Sequence, residues 1–377
     1  MFTPRHRGRR LDLAHHLDTI QRGHAVRIRM LIPTVVLGAA LIAATGCGGD
    51  DTTPATTGAA TATTASGSIT GSGSSFVYPL VSKWIPSLRD QALDVTYSPD
   101  GSGAGVAAIT ARTVDFGASD APLSEEQFAA CKECVQIPWA LSATSVAFNL
   151  DGIDTIKLTG ELLAQIYLGE VKAWDDPAIA ELNPGVELPS TPVRPVYRSD
   201  SSGTSYNFTD FLSEESPAWK SQVGRGTNAN WPAGTGAKGS TGVAGVVAKT
   251  EGALTYVDIA YARENDLATA SVRNAAGEFV DPQLEAIGKA AAAVDMASIP
   301  DTGEISVVAP PASAKGAYPI CTFTYVILAK ASDKAAQVKA LVEYALGDGQ
   351  DAGPDLLFRP LPEPVRTFGR KQLALVG

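Results

Sequence analysis

The stretch T-V-D-F-G-A-S-D-A-P-L-S, residues 113–124, decides how this chain folds. Residues 114–120 read as a short strand that delivers a carboxylate, Asp120, at its C-terminal end. Open α/β sheets hold their ligands at that end of their strands. The class is therefore α/β, and Asp120 is a candidate ligand contact.

Outward from it, three segments repeat one design. G-S-G-S-S-F, residues 71–76, leads into V-Y-P-L-V-S-K-W-I, an amphipathic helix expected from about Tyr78 and expected to kink at Pro86. Y-S-P-D-G-S-G-A-G-V, residues 97–106, follows an extended piece and opens a helix near Ala104. Y-R-S-D-S-S-G-T-S, residues 197–205, follows a strand at 193–197 and opens a helix carrying Tyr206, Phe208, Phe211 and Leu212. Gly and Ser at a helix start free backbone N–H groups and add hydroxyl donors, and the helix dipole draws an anion toward them. One such turn alone is usually only a cap. Three of them facing one point would enclose a tetrahedral oxyanion. Arg198 could fork two N–H groups onto it while Asp200 orients the guanidinium.

All four histidines, His6, His15, His16 and His24, lie in the first 46 residues. That segment reads as an export leader. Arg27 and Arg29 precede an apolar run at 30–44, shorter than the roughly 20 residues a spanning helix needs. The run ends in A-T-G-C, where small residues before Cys47 resemble a lipobox, with Ala44 where leucine is usual. Cys47 is the expected lipidated first residue of the mature chain, and residues 47–68, without aromatic or large aliphatic side chains, the flexible tether.

A mature chain without histidine has no imidazole for a Ser-His-Asp triad, a Cys-His pair or a histidine metal site. An enzyme, a cofactor and a metal are accordingly not expected. Taking the seven arginines and two aspartates of residues 1–46 from 30 basic and 40 acidic residues leaves 23 against 38, a charge near −15. Nucleic acid is a poor partner for such a chain. A small anion is not excluded, because a buried pocket of amides answers to local dipoles.

C-K-E-C at 131–134 lacks the further ligands of a zinc site and the surroundings of a thioredoxin-like motif, so a structural disulfide between Cys131 and Cys134 is favoured. Cys321, in the apolar run 320–325, reads as a buried free thiol on a strand. Residues 290–297 read as part of an exposed Ala-rich helix without a role.

The strings G-S-G-S-S-F, D-G-S-G-A-G-V, T-V-D-F-G-A-S-D-A-P-L-S and R-S-D-S-S-G-T-S, in this order and spacing, resemble the phosphate-binding lipoprotein or periplasmic protein of Pst-type ABC phosphate importers. The resemblance continues through residues 166–184 and 236–262 and covers essentially the whole mature domain. It implies a two-domain periplasmic-binding-protein fold of type II with the ligand in the interdomain cleft. The first domain would comprise residues 69–146 and 321–377 and the second 147–320; independently of the resemblance, 144–150 and 321–328 read as extended, largely apolar runs that could pair as hinge crossings. Carried over residue by residue, the resemblance implies phosphate contacts from Ser75, Phe76, Ser102, Asp120, Arg198, Ser202, Gly203 and Thr204, with Asp200 supporting. Asp120 would accept the phosphate proton. Thr255 stands where glycine is frequent before Tyr256.

The function so implied is capture of inorganic phosphate outside the cell by a monomer, anchored to the membrane through Cys47, and its delivery to the permease subunits of an ABC importer. A receptor for sulfate or another oxyanion, and a surface sensor that kept the pocket, remain as alternatives. A hydrolase using Ser202 or Ser75 lacks a base.

Overall fold

The computed structural model describes residues 65–295 and 299–377, all within one compact unit, Thr61–Gly377. The leader, Cys47 and residues 48–64 of the tether lie outside the described residues. No helix among the described residues is long and apolar enough to cross a membrane.

A mixed sheet of nine strands organises the molecule. At one end β1 (Gly67–Gly73) lies between β2 (Leu93–Ser98) and β3 (Phe116–Ser119), parallel to both. Parallel neighbours need crossovers, and α1 (Tyr78–Asp90) and α2 (Ser102–Thr110) supply them. The helix α3 (Glu125–Cys131) starts on a capping box between Ser124 and Gln127 and leads into β4 (Cys134–Phe148), buried along its whole length. β12 (Cys321–Ala329), equally buried, returns antiparallel between β3 and β4.

β4 carries the sheet from one half to the other. Its residues 134–143 pair with β12, and its residues 144–148 pair with β8 (Ala253–Asp258). The expected pairing of 144–150 with 321–328 is thus displaced by one stretch. Both segments are extended, but β8 takes the C-terminal end of β4, and β12 meets it only at the edge, where Thr144 N–H donates to Ile320 O at 2.8 Å. Beyond β8 the sheet continues as β6 (Arg194–Arg198) and β7 (Thr235–Ala237), all three parallel. The helices α6 (Gly203–Glu215) and α8 (Gly239–Ala248) follow β6 and β7 directly. β9 (Ala268–Thr269) pairs with the end of β4.

The remaining elements cover the sheet or extend it. A second sheet joins β5 (Lys157–Leu158), β10 (Ser271–Arg273) and β11 (Phe279–Val280). The helices α4 (Gly160–Leu168) and α5 (Pro177–Ala180) precede β6 in the chain, α4 and α7 (Pro217–Gln222) pack against α6, and α9 (Ile259–Glu264) follows β8. The chain closes with α10 (Leu284–Ala292), α11 (Ala335–Leu346) and α12 (Glu363–Leu373) around β12.

Two further expectations change here, at the tether and in the Ala-rich segment, while the helix around Pro86 continues unbroken. Gly67 and Ser68, assigned to the tether, already belong to β1, because their backbone pairs with Leu93 and Asp94 and that ladder outweighs a polar composition. α1 runs on through Pro86 to Asp90, with Leu80, Val81, Trp84 and Leu88 buried at helical spacing. Packing of that stripe, with Trp84 Nε1 donating to Gly349 O at 2.7 Å, holds the turn that the missing amide weakens. The Ala-rich segment is not an exposed helix: α10 ends at Ala292, and Ala286, Ile287, Ala290 and Ala291 are buried. Alanine covers little area, but on one face it lets a helix approach closely.

Cys131 and Cys134 are disulfide-bonded, and Arg112 reaches both sulfurs at 3.6 Å and the carbonyls of Cys131 and Lys132. Cys321 is free and buried, and burial pushes its thiol pKa well up.

Candidate functional site

The three expected turns meet. Each ends a strand of the large sheet and opens a helix, so their loops fall at the C-terminal edges of β1, β2 and β6. Close approach is possible only through glycine. Gly73 has φ +148°, and a Cβ there would lie 2.1 Å from Ala118 O. A Cβ on Gly203 would lie 2.7 Å from the backbone N and the Cβ of Asp120. Any larger residue at 203 would push α6 off the carboxylate.

Asp120 lies at the centre, just past β3 and buried. Its Oδ1 accepts a short hydrogen bond from Ser74 Oγ and its Oδ2 a long one, 3.4 Å, from Ser102 Oγ. Its own N–H donates to Ser102 Oγ at 3.2 Å, and its carbonyl accepts from Asn207 Nδ2 and Thr322 Oγ1. Burial raises its pKa from the usual 3.8 to about 6; the Ser74 hydrogen bond, the charge of Arg198, and hydrogen bonds from Ser102 and Thr204 pull the other way. A carboxyl so balanced can take or release a proton near neutrality.

Arg198 is the buried cation opposite. Its Nε donates to Asp200 Oδ1 at 2.8 Å and its Nη2 to Asp200 Oδ2, a bidentate fork that holds the guanidinium plane. Burial works against ionised Asp200, but the Arg198 fork outweighs it and, with Gly239 N–H, holds its pKa below the usual carboxylate range. Nη1 is left with only long contacts, 3.4 Å to Thr204 Oγ1 and 3.5 Å to Ser240 Oγ. The backbone behind it is fixed by Arg198 N–H donating to Tyr256 Oη, which also pairs with Ser205 Oγ at 2.7 Å. Tyr256 itself stacks on Phe208 with ring centroids 4.4 Å apart.

The other expected residues surround this pair. Ser202 caps α6, accepting from Ser205 N–H at 3.2 Å, and Gly203 and Thr204 form its buried first turn. Ser102 opens α2. Ser75 is buried, its carbonyl held by Tyr261 Oη at 2.8 Å. Phe76 N–H, expected to face the ligand, donates here to Ser74 Oγ at 3.0 Å.

Two contributors escaped the sequence reading. Ser74, not its neighbour Ser75, is the hydroxyl on Asp120, and nothing in a run of two serines says which one turns inward. Ser240, second residue of α8, is fully buried with its Oγ 2.8 Å from Ser75 Oγ. Its signal was present: K-G-S-T-G at 238–242 is a fourth Gly/Ser helix start, hidden in a glycine-rich stretch that otherwise reads as loop. No group of His, Cys, Asp and Glu among the described residues could hold a metal ion.

Buried hydroxyls, one oriented guanidinium and one protonatable carboxyl therefore cluster at the starts of α1, α2 and α6. That arrangement can hold an oxyanion and accept a proton from it.

A family model described as PBP superfamily domain matches residues 58–348. The phosphate-binding protein PstS of Xylella fastidiosa strain Temecula1 is 39% identical over 300 residues, 78% of this chain and 81% of that protein. The PstS of Pasteurella multocida is 40% identical over 309 residues, 80% of this chain and 89% of its own. Among solved structures, a high-affinity periplasmic phosphate-binding protein (PfluDING) bound with phosphate superposes with a TM-score of 0.67 at 24% identity, over 81% of this chain and 93% of that one. This likeness establishes the fold as that of two-domain binding proteins.

Proposed function

Since the chain belongs to the PBP superfamily and, within it, to the PstS phosphate-binding proteins, we propose that it captures inorganic phosphate outside the cell and delivers it to an ABC importer. The observation that carries this is the facing of buried Asp120 and Arg198 within a ring of hydroxyls and helix starts. Arg198, Ser75, Ser202, Gly203 and Thr204 would supply donors; Phe76 N–H and the Ser102 hydroxyl, which donate here to Ser74 Oγ and Asp120, would have to turn from those partners to join them, and Asp120 would supply the acceptor for a P–OH.

Capture works by exchange of partners. Phosphate would lose its water and gain N–H and O–H donors from these helix starts and from Arg198. The hydroxyls of Ser74 and Ser102 hold Asp120 in place, and a P–OH completes its shell. Sulfate, fully ionised at neutral pH, would set lone pairs against the carboxylate. Leaving a buried polar group unpaired can discriminate by about 10⁴-fold or more.

The lobes would be residues 69–146 with 321–377, and 147–320. The change of partner along β4 near Ala143 supports a crossing there. Closure of such lobes would present a distinct surface to permease subunits. The leader and the A-T-G-C string support an extracytoplasmic chain anchored through a lipid on Cys47. Mass spectrometry of the membrane-fraction protein checks the anchor: an unmodified residue upstream of Cys47 contradicts it.

Competition calorimetry at neutral pH tests the function. Native protein should bind phosphate and ignore sulfate in large excess, whereas Asp120→Asn, which replaces repulsion by an amide donor, should let sulfate compete. Sulfate competing equally with both proteins would refute the assignment.

A further inference from the structure

Ser75 and Ser240 are 165 residues apart in sequence and joined twice. Ser240 N–H donates to Ser75 Oγ at 3.0 Å, and the two hydroxyl oxygens lie 2.8 Å apart. Both side chains are buried, and Arg198 Nη1 stands 3.5 Å from Ser240 Oγ. We propose that Ser240 is a positioning residue that makes Ser75 a one-way hydrogen-bond donor toward bound phosphate.

The hydrogens decide it. A hydroxyl has one proton and two lone pairs. The Arg198 cation donating into Ser240 Oγ strengthens the Ser240 hydroxyl as a donor, because hydrogen bonds in a chain polarise one another in one direction. The Ser240 proton then points at Ser75 Oγ. With Ser240 N–H already on it, both Ser75 lone pairs are filled, and its own proton is the only group it can offer. A hydroxyl that can only donate suits an anion and repels nothing the anion brings. Without the Ser240 hydroxyl, Ser75 regains an open lone pair and rotational freedom, and Arg198 Nη1 loses a contact.

This inference rests on the phosphate reading, and a double-mutant cycle separates the two. Phosphate affinity is measured by calorimetry for the native chain, Ser240→Ala, Ser75→Ala and the double variant. Ser240→Ala should weaken phosphate binding about tenfold, the worth of one good hydrogen bond. The double variant should bind no more weakly than Ser75→Ala alone, since Ser240 acts through Ser75. A purely structural role would instead lower the ligand-free unfolding midpoint and multiply with the loss from Ser75→Ala. Ser240→Gly removes the same hydroxyl and serves if Ser240→Ala folds poorly. Unchanged affinity in the Ser240 variants, or losses that multiply, overturns the proposal. A native chain that takes up no phosphate overturns the functional reading itself, and this inference with it.

Discussion

Asp120 and Asp258 are both fully buried carboxyls at strand ends, and they have opposite surroundings. Asp120 faces Arg198 and the hydroxyls of Ser74 and Ser102, so burial lifts its pKa only to about 6. Asp258 ends β8 and caps α9, accepting from Ala260 N–H at 2.9 Å. Burial lifts its pKa well above the ordinary value; the hydrogen bonds opposing that come from Ala260, Ser142 and Ile259, and the charge of Asp120 adds to the rise. Counting protons sharpens the contrast. Ser142 Oγ has one hydrogen and two acceptors in reach, Leu357 O at 3.1 Å and Asp258 Oδ2 at 3.2 Å. A protonated Asp258 satisfies all three groups by donating to Ser142 while Ser142 donates to Leu357. Burial thus sets the direction of both shifts, and the Arg198 cation holds that of Asp120 down, whereas the groups opposing the shift of Asp258 are hydrogen bonds alone.

Removing the cation should break the contrast most severely. Arg198→Ala leaves Asp120 and Asp200 without their shared counter-charge and should cost roughly 2–4 kcal/mol of phosphate binding, tens- to several-hundredfold in affinity. Calorimetry showing native affinity would mean that the ligand binds elsewhere.

A smaller effect is expected in the pH dependence of ligand-free stability. Asp120 has a raised folded pKa, so the folded state binds more protons than the unfolded one between pH 3.8 and about 6. Its contribution is fully present below pH 3.8 and is lost as pH rises through about 6, at most about 3 kcal/mol. Asp120→Asn should flatten that window in urea titrations. A native chain whose stability rises because of Asp120 across this interval would reverse the sign.

The smallest change is expected at the cap. Asp258→Asn keeps an acceptor for Ala260 N–H and a donor for Ser142, so stability in acid solution should stay within about 1 kcal/mol of native. Because the native carboxyl has a raised folded pKa, its contribution is lost as pH rises through that value, and the variant should gain on the native chain as pH rises. A loss of several kcal/mol in acid solution would show that Asp258 is ionised in the fold.

Much of the site was legible because its parts are local. A strand ending in Asp120, and Gly/Ser turns at 71–76, 97–106 and 197–205, announce helix starts whatever surrounds them. Arg198 and Asp200 sit two residues apart, so their fork is also local. The parts missed are those whose meaning is a distance. Ser240 resembles any capping serine until Ser75 arrives beside it, and Ser74 differs from Ser75 only by the direction its turn imposes.

Alone, the sequence determined which backbone groups would be left unpaired and which side chains could serve an anion, since helix starts and strand ends follow from nearest neighbours in the chain. Tertiary structure alone decided which of those groups face each other. β4 had to exchange β12 for β8 near Ala143 before the halves could meet, and glycines at 73 and 203 had to admit backbone contact without a Cβ. Such contacts depend on packing between segments from about 45 to nearly 200 residues apart, which no local pattern of residue types encodes.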